Sequence, residues 1–518
     1  MGLINFLWSK YISIPCAEIN EFINNPEKTQ EDQLMQIIRT AEDTEWGLKY
    51  GYRSISSVSD FMNRVPLNEY DEIKSYIFRM MKGEEDVLWP GRVSHFAKSS
   101  GTTSDKSKFI PIPSENHRNC HSKAGLHLIA SIYNQLPDCS LLDGKSIILA
   151  GSCRNDYPEY PGAIIGDVSA VIYKNLSTIL KSFLVPSEEF NLLEDSEKKL
   201  DIIAEKCIDE DVRLLVGSPT WMLILFRKIL ALTGKSNMLE VWPHFEILIH
   251  GAVSFVPYRN TFKELFPSDN VHFFEAYNAS EGYFAFQDKD KTDELLLLLD
   301  VGVFYEFISP EQLNLPSPKT LLLGEVQTGI NYAVIITTNS GLYRYVLGDT
   351  ITFTCLKPFR IRITGRIKQF INVFGEELMV ATTDEAVRRC SEQFNVRVRD
   401  YTVAPVFQEG DQARGGHEWI IEFETEMPDL HAFAESLDQT LQSLNSDYEA
   451  KRYKGLALNR LILHLARPGC FSDWMQATNR IGAQKKSPDC LMSEFSSRKF
   501  FNSSNNYNFR RKIFYQTL

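Results

Sequence analysis

The sequence predicts an α/β protein with one large amino-terminal domain of mixed sheets, a β-rich subdomain closing it, and a small α+β domain at the carboxyl end. Three observations carry that reading. From residue 145 onward, short aliphatic runs alternate with helical patterns: SIILA at 146–150, RLLV at 213–216, FEILIH at 245–250 and VHFFEAY at 271–277. Strands buried on both faces read as such continuous apolar runs, so a parallel or mixed sheet covered by helices is expected. After about residue 295 the rhythm tightens into close-set strands, LLLLLDVGVFYEFI, YAVIITT, DTITFTCL and FRIRITG, joined by Gly, Pro and Asn. Beyond residue 380 a charged helical stretch, two strands (VRDYTVAPVF and EWIIEFE) and the amphipathic PDLHAFAESLDQTLQSLN describe a separate unit of roughly 140 residues.

The elements follow in chain order. Residues 17–90 read as polar-faced helices, with Leu34, Ile37, Ile38 and Ala41 at helical spacing. A strand is expected at RVSHFAK and a helix from Ser114, and between them lies SSGTTSDKSKFIP at 99–111, which has little to bury. The longest apolar run, LLVGSPTWMLILF at 214–226, meets Arg227 and Lys228 before it could span a bilayer. We place the domain boundary at 375/376, giving domains 1–375 and 376–518.

Composition excludes several classes. The chain has 518 residues, a net charge of -12, 43% hydrophobic and 24% charged residues, as an ordinary globular protein has. That acidity leaves no basic face for a nucleic-acid backbone. Nine cysteines without a CxxC pair suggest neither a zinc framework nor a disulfide scaffold, and point to a reducing cytoplasm. The opening MGLINFLWSK has no basic leader, and Phe6 breaks the myristoylation pattern, so no membrane attachment is expected. We expect a cytoplasmic monomer or weak dimer.

Three segments carry candidate chemistry. Ser99, Ser100, Thr102 and Thr103 offer hydroxyls, Gly101 permits close backbone approach, and Lys106 and Lys108 add charge, so this loop can fold around phosphate oxygens. Its spacing is not that of the GxxxxGK[ST] loop, and by composition it is also a solvated Ser-rich connection. YNASEG at 277–282 follows an apolar run, where Tyr277 can stack on a base, Ser280 reach a phosphate oxygen and Glu281 hold Mg²⁺. Taken singly, Glu281 is also a first-turn helix acid. In GLYRYVLGD at 341–349, Asp349 suits ribose hydroxyls, or sits in a β-turn. Further on, ITGRIKQFINVFGEEL sets Arg366 after a tight turn and Gly375 in a second one.

In this order, SSGTTSDKSKFIP, YNASEGYFAFQD and GLYRYVLGD resemble the adenylate-forming superfamily of acyl-CoA synthetases and luciferases. Within it they look like the Gretchen Hagen family of acyl-acid amido synthetases, known from auxin-responsive plant genes. The bacterial branch is the nearer, because INVFGEEL stands where plant members carry a Lys-containing acidic segment. The resemblance runs from Trp46 to Lys486. It implies a large adenylate-forming domain, a small mobile carboxyl-terminal domain, and two-step chemistry: a carboxylate attacks the α-phosphorus of ATP, then an amine displaces AMP.

By position it implies phosphate contacts for Ser99, Ser100, Thr102 and Thr103, an α-phosphate contact for Ser280, and Mg²⁺ on Glu281. Gly251 and Ala252, in ILIHGAVSF, match the turn beside adenine, with Tyr277 against the ring. Asp349 matches the ribose acid, Arg366 the arginine after it, and Lys486, in GAQKKSPDC, the lysine that completes adenylation. Asp489, Asn278 and Glu376 depart from the family pattern. The expected substrates are ATP, a small carboxylic acid, and an amino acid or other amine. An acyl pocket is expected between the helix at 115–132 and PGAIIGDVSAVIY at 161–173. Competing readings are an acyl-CoA synthetase and a nucleotide-binding homologue without turnover.

Overall fold

The computed structural model describes residues 11–471 and 514–517, leaving out 101–106, 155–156, 194, 253–254, 256–257, 314, 316–317, 368–369, 372, 377, 409–410, 425–427 and 456. The chain divides into two compact units, Met1–Ser99 with Phe109–Ile367, and Ser100–Lys108 with Lys368–Leu518. The break after Ile367 falls eight residues before the boundary expected from sequence.

Among the described residues fourteen strands lie wholly or mostly in the first unit. In chain order they begin β1 (His95–Ser100), β2 (Ser107–Pro111), β3 (Lys145–Ile148), β4 (Cys153–Arg154) and β5 (Ile164–Gly166). Then come β6 (Val212–Gly217), β7 (Ile247–His250), β8 (His272–Ala279), β9 (Gly282–Phe286) and β10 (Leu295–Leu297). The unit closes with β11 (Val303–Ile308), β12 (Asn331–Thr338), β13 (Tyr345–Leu356) and β14 (Phe359–Arg366). A four-stranded sheet has the order β2-β1-β5-β4, and a ten-stranded sheet the order β11-β12-β13-β14-β10-β9-β8-β7-β6-β3.

Strands β3, β6, β7 and β8 run parallel, and from β8 to β11 every neighbour is antiparallel. The direction changes at the hairpin between β8 and β9. Helices 196–207, 219–233 and 259–265 lie in the connections of the parallel half, as parallel pairing demands. The apolar run at 214–226 is split between β6 and helix 219–233: Pro219 opens the helix after Ser218, and Gly234, at φ 67°, ends it.

Amino-terminal helices cover the antiparallel half. Helix 26–40 buries Leu34, Ile37 and Ile38, and its Gln30 Nε2 donates to the carbonyls of Leu299 (2.8 Å) and Val303 (2.9 Å). Gln30 Oε1 accepts from Tyr305 N at 2.8 Å, and Gln33 Oε1 from Gly302 N at 2.7 Å. Trp46 stacks on Tyr343 with ring centroids 5.8 Å apart.

The second unit is α+β. Strands β15 (Phe370–Ile371) and β16 (Leu378–Met379) pair, and helix 380–393 follows directly. A four-stranded sheet runs β17 (Val398–Gln408), β18 (Asp411–Phe423), β19 (Ile462–Ala466) and β20 (Phe514–Thr517) in that order. Helix 430–444 packs Phe433, Leu437 and Leu441 into a core with Trp419, which stacks on Tyr401 at 5.6 Å. Glu376 and His417 are both fully buried and bonded to each other at 2.8 Å. Among the described residues the eight cysteines are free thiols, and no helix is long and apolar enough to cross a membrane.

Candidate active site

The change of strand direction positions the site. Residues Ser280 and Glu281 form the two-residue turn between Ala279 and Gly282, so Glu281 lies in a hairpin and not in the first turn of a helix. Tyr277 lies near the end of β8, buried, its ring edge-on to Phe284 at 5.1 Å. Its hydroxyl donates to Asp349 Oδ2 at 2.5 Å. The other oxygen, Oδ1, lies 2.6 Å from Arg366 Nε. Asp349 and Arg366 are direct partners across β13 and β14, which corrects the expectation that Arg366 follows a turn and Asp349 sits in one. Here the register shifts between Thr350 and Ile351; bulges re-aim side chains beside active sites.

Burial, and then the Asp349 charge, holds the Tyr277 phenol well above its ordinary range, so it stays a donor. Tyr345, four residues before Asp349, is likewise raised by burial and next by the Glu281 charge. The Tyr70 hydroxyl accepts Phe109 N at 2.9 Å. Phe109 is in β2, the strand that leaves the Ser-rich segment. The end of that segment meets Tyr70 through Phe109, and the YNASEG hairpin meets the GLYRYVLGD strand through the Tyr277–Asp349 bond. Ser99 and Ser100 complete strand β1 rather than opening the loop, and only their backbone is described. Gly101, Thr102, Thr103, Lys106 and Lys486 lie outside the described residues.

Gly251 follows β7, where a Cβ would stand 2.5 Å from the Ala276 carbonyl oxygen. Only glycine lets that turn approach β8, one residue before Tyr277. Ala252 then takes φ 71°, a left-handed conformation that a side chain rarely adopts and that clusters at functional sites. We expect Gly251→Ala to displace β8 and lower kcat/KM about 10²-fold, the scale of a roughly 1 Å misplacement, with the far-UV circular dichroism unchanged.

The preceding residue, His250, is buried and stacked on Phe255 at 3.9 Å. Burial, with the Arg259 charge adding to it, lowers its pKa to about 3. Burial lowers His121 to about 3 as well. Both rings stay neutral when folded but take up protons in the unfolded chain below a pH of about 6.5. Acid therefore favours unfolding, and stability falls as pH drops from about 6.5 toward 3. A series of urea midpoints against pH checks this: His250→Phe flattens the fall.

Sequence reading missed Arg344, although it lies inside GLYRYVLGD. Its guanidinium meets Glu306 at 2.7 Å with both side chains buried, and donates to the carbonyls of Met62 (2.7 Å) and Val65 (2.8 Å). This arginine anchors the amino-terminal helices to the sheet. It was hidden by the motif around it, whereas Glu306 inside an apolar strand was a visible signal of a buried partner.

A mixed sheet that changes direction at a polar hairpin, followed by a separate α+β unit, defines an α/β protein with a large mixed-sheet unit and a smaller α+β one. The structure described as AtGH3.15 acyl acid amido synthetase in complex with 2,4-DB matches with a TM-score of 0.62 at 16% identity, over 98% of this chain and 97% of that one. The family model for the GH3 family N-terminal domain matches residues 16–184 and 158–271, that for the central domain 296–366, and that for the C-terminal domain 381–494. The chain belongs to the GH3 family. Relatives include indole-3-acetic acid-amido synthetase GH3.3 of Arabidopsis thaliana, 22% identical over 91% of each chain. Jasmonoyl--L-amino acid synthetase GH3.5 of Oryza sativa subsp. japonica is 22% identical over 95% of each.

Proposed function

We propose that this chain is an ATP-dependent acyl-acid amido synthetase that adenylates a small carboxylic acid and passes the acyl group to an amino acid or other amine, releasing AMP and pyrophosphate. The observation that carries it is the junction Tyr277–Asp349–Arg366 beside the Glu281 hairpin, in a GH3 chain whose relatives bear amido synthetase names. Asp349, with each oxygen already oriented by one neighbour, keeps lone pairs for the ribose hydroxyls of ATP. Gly251 and Ala252 border adenine, with Tyr277 against its ring. Ser280 contacts the α-phosphate, and Ser99, Ser100, Gly101, Thr102, Thr103 and Lys106 surround the outer phosphates.

Glu281, a buried carboxylate whose charge acts on the Tyr345 phenol, is a hard oxygen donor of the kind Mg²⁺ prefers. When bound, that ion neutralises charge on the phosphates. Attack by the substrate carboxylate on the α-phosphorus forms a P–O bond as pyrophosphate leaves with the electron pair of the bond that breaks. Negative charge gathers on the α-phosphoryl oxygens and the leaving group, where fixed donors such as Ser280, Arg366 and Lys486 lower the barrier. The amine then attacks the acyl carbon, expels AMP and loses a proton to form the amide. Residues 1–375 carry ATP and acyl binding, and residues 376–518 act as a mobile lid. The free thiols support a reducing, cytoplasmic setting, and the enzyme works as a monomer or weak dimer.

The test is acid-dependent exchange of pyrophosphate into ATP, followed by mass detection of an amide. Lys486→Ala should lower exchange about 10²-fold. ATP binding without exchange for any acid in a broad panel overturns the reading, and a thioester product in place of the amide assigns the chain to the acyl-CoA synthetases.

A further inference from the structure

A cavity of about 250 Å³ opens in the first unit, and none of Tyr277, Glu281, Asp349 or Arg366 lines it. Its walls come from helix 26–40, from residues 115–123 and from the turns that follow β10 and β12. Pockets for drug-sized ligands hold about 300–1,000 Å³, so this one suits a smaller molecule. Glu115 and Lys123 face it, whereas His117 between them bonds the Ile172 carbonyl with its ring. The cavity therefore lies on a different face of this helical stretch from residues 161–173.

The buried wall presents N–H donors. Trp89 and Asn339 line the cavity and are each 3% exposed. Asn339 is clamped from behind: its Oδ1 accepts Asn116 Nδ2 at 2.7 Å, and its backbone N donates to the Gly302 carbonyl at 3.0 Å. Gln33 is held in the same way through Oε1, which accepts Gly302 N. Gly302, at φ 69°, is needed there, because a Cβ would stand 2.2 Å from Asn339 Nδ2. Among the described residues Asn339 Nδ2, Gln33 Nε2 and Trp89 Nε1 have no hydrogen-bond partner. Polar groups so deeply placed are nearly always paired, so these fixed donors call for an acceptor on a ligand.

The charges narrow its chemistry. Lys123 Nζ lies 2.8 Å from Asp300 Oδ2 and donates to the Asp300 carbonyl at 3.1 Å, so these two lining charges offset each other. Glu115 is left over. Its carboxyl is half-buried and has no hydrogen bond among the described residues, and burial pushes it up against the opposing pull of Arg118. A simple anion would satisfy the N–H donors and leave Glu115 uncompensated, while a simple cation would do the reverse. A molecule carrying both charges a short distance apart meets both walls.

We infer that this cavity binds a small α-amino acid in its zwitterionic form, with the carboxylate received by Trp89 Nε1, Asn339 Nδ2 and Gln33 Nε2 beside Lys123, and the ammonium received by Glu115. The site is separate from the nucleotide junction and does not depend on the amido synthetase reading.

Calorimetry on the full chain without ATP compares glycine, L-alanine and L-serine with three probes that each lack part of the pattern: acetate, methylamine and glycerol. At least one amino acid should bind about tenfold or more tightly than every probe and raise the melting temperature as it saturates. Glu115→Gln keeps the shape and removes the charge, and Trp89→Phe removes one N–H; each should weaken binding about tenfold, while Asp349→Ala leaves it unchanged. The inference is overturned if no amino acid binds, if a probe binds as well, or if neither variant matters. Binding lost in Asp349→Ala and kept in both other variants assigns the amino acid to the reaction centre, which overturns the inference and leaves the ligase reading standing. The expected binding without acid-dependent pyrophosphate exchange for any acid keeps the inference and removes the ligase. A Glu115→Gln chain that cannot fold marks that carboxyl as structural and also overturns the inference.

Discussion

Asp349→Ala is expected to lower acid-dependent pyrophosphate exchange by about 10² to 10³-fold, the scale of losing one preorganised polar contact. Two effects combine. On the proposed reading the ribose loses its acceptor, and the substitution also strips Tyr277 and Arg366 of the carboxylate that orients them. Tyr277 is buried, and an orphaned buried hydroxyl costs about 1–3 kcal/mol, so the melting temperature should fall as well. Tyr277→Phe separates the two effects. It removes one bond to Asp349 and leaves the Arg366 pair in place, so exchange should drop far less. Exchange by Asp349→Ala within a few-fold of the parent protein removes Asp349 from the nucleotide site.

Arg344→Leu should be the most destabilising single change in the first unit, by about 3–5 kcal/mol, because it leaves Glu306 charged, buried and unpaired. The loss extends beyond the ion pair. Arg344 also bonds Thr320 at 3.0 Å and the carbonyls of Met62 and Val65, so the end of helix 58–64 is released with it. Urea midpoints check the size. Combining Arg344→Met with Glu306→Leu should restore much of the loss, since replacing both members of a buried pair by apolar groups of similar volume is often tolerated. A double variant as unstable as the single one assigns the loss to shape instead of charge.

The alternation of aliphatic runs with helical patterns was legible because parallel strands buried on both faces leave a strong signature, as at Ile247–His250. The terminal α+β unit was legible for the same reason, in the amphipathic helix 430–444 and the long strands before it. The pairing of Asp349 with Arg366 was not, because it depends on a bulge that sequence spacing does not reveal. The motif letters marked Tyr277, Glu281 and Asp349, but only the fold makes Tyr277 a donor to Asp349. Arg344 shows the opposite case, a residue inside a nucleotide-type motif whose work is to hold the core. His117 and His121 were passed over because two histidines four apart on a helix carry no pattern of their own.

Among the described residues, Gln30 bonds the backbone of Leu299, Val303 and Tyr305, and Gln33 that of Gly302. At ribosomal rates of about 5–20 residues per second, some 13–55 s separate the emergence of these glutamines from that of their partners. During that interval Leu34, Ile37 and Ile38 have no sheet to cover, and the earliest helices must stay soluble by other means. The start of the polypeptide is therefore among the last parts to reach its native place. Chaperone demand should peak on nascent chains shorter than about 300 residues and drop once Tyr305 has left the exit tunnel.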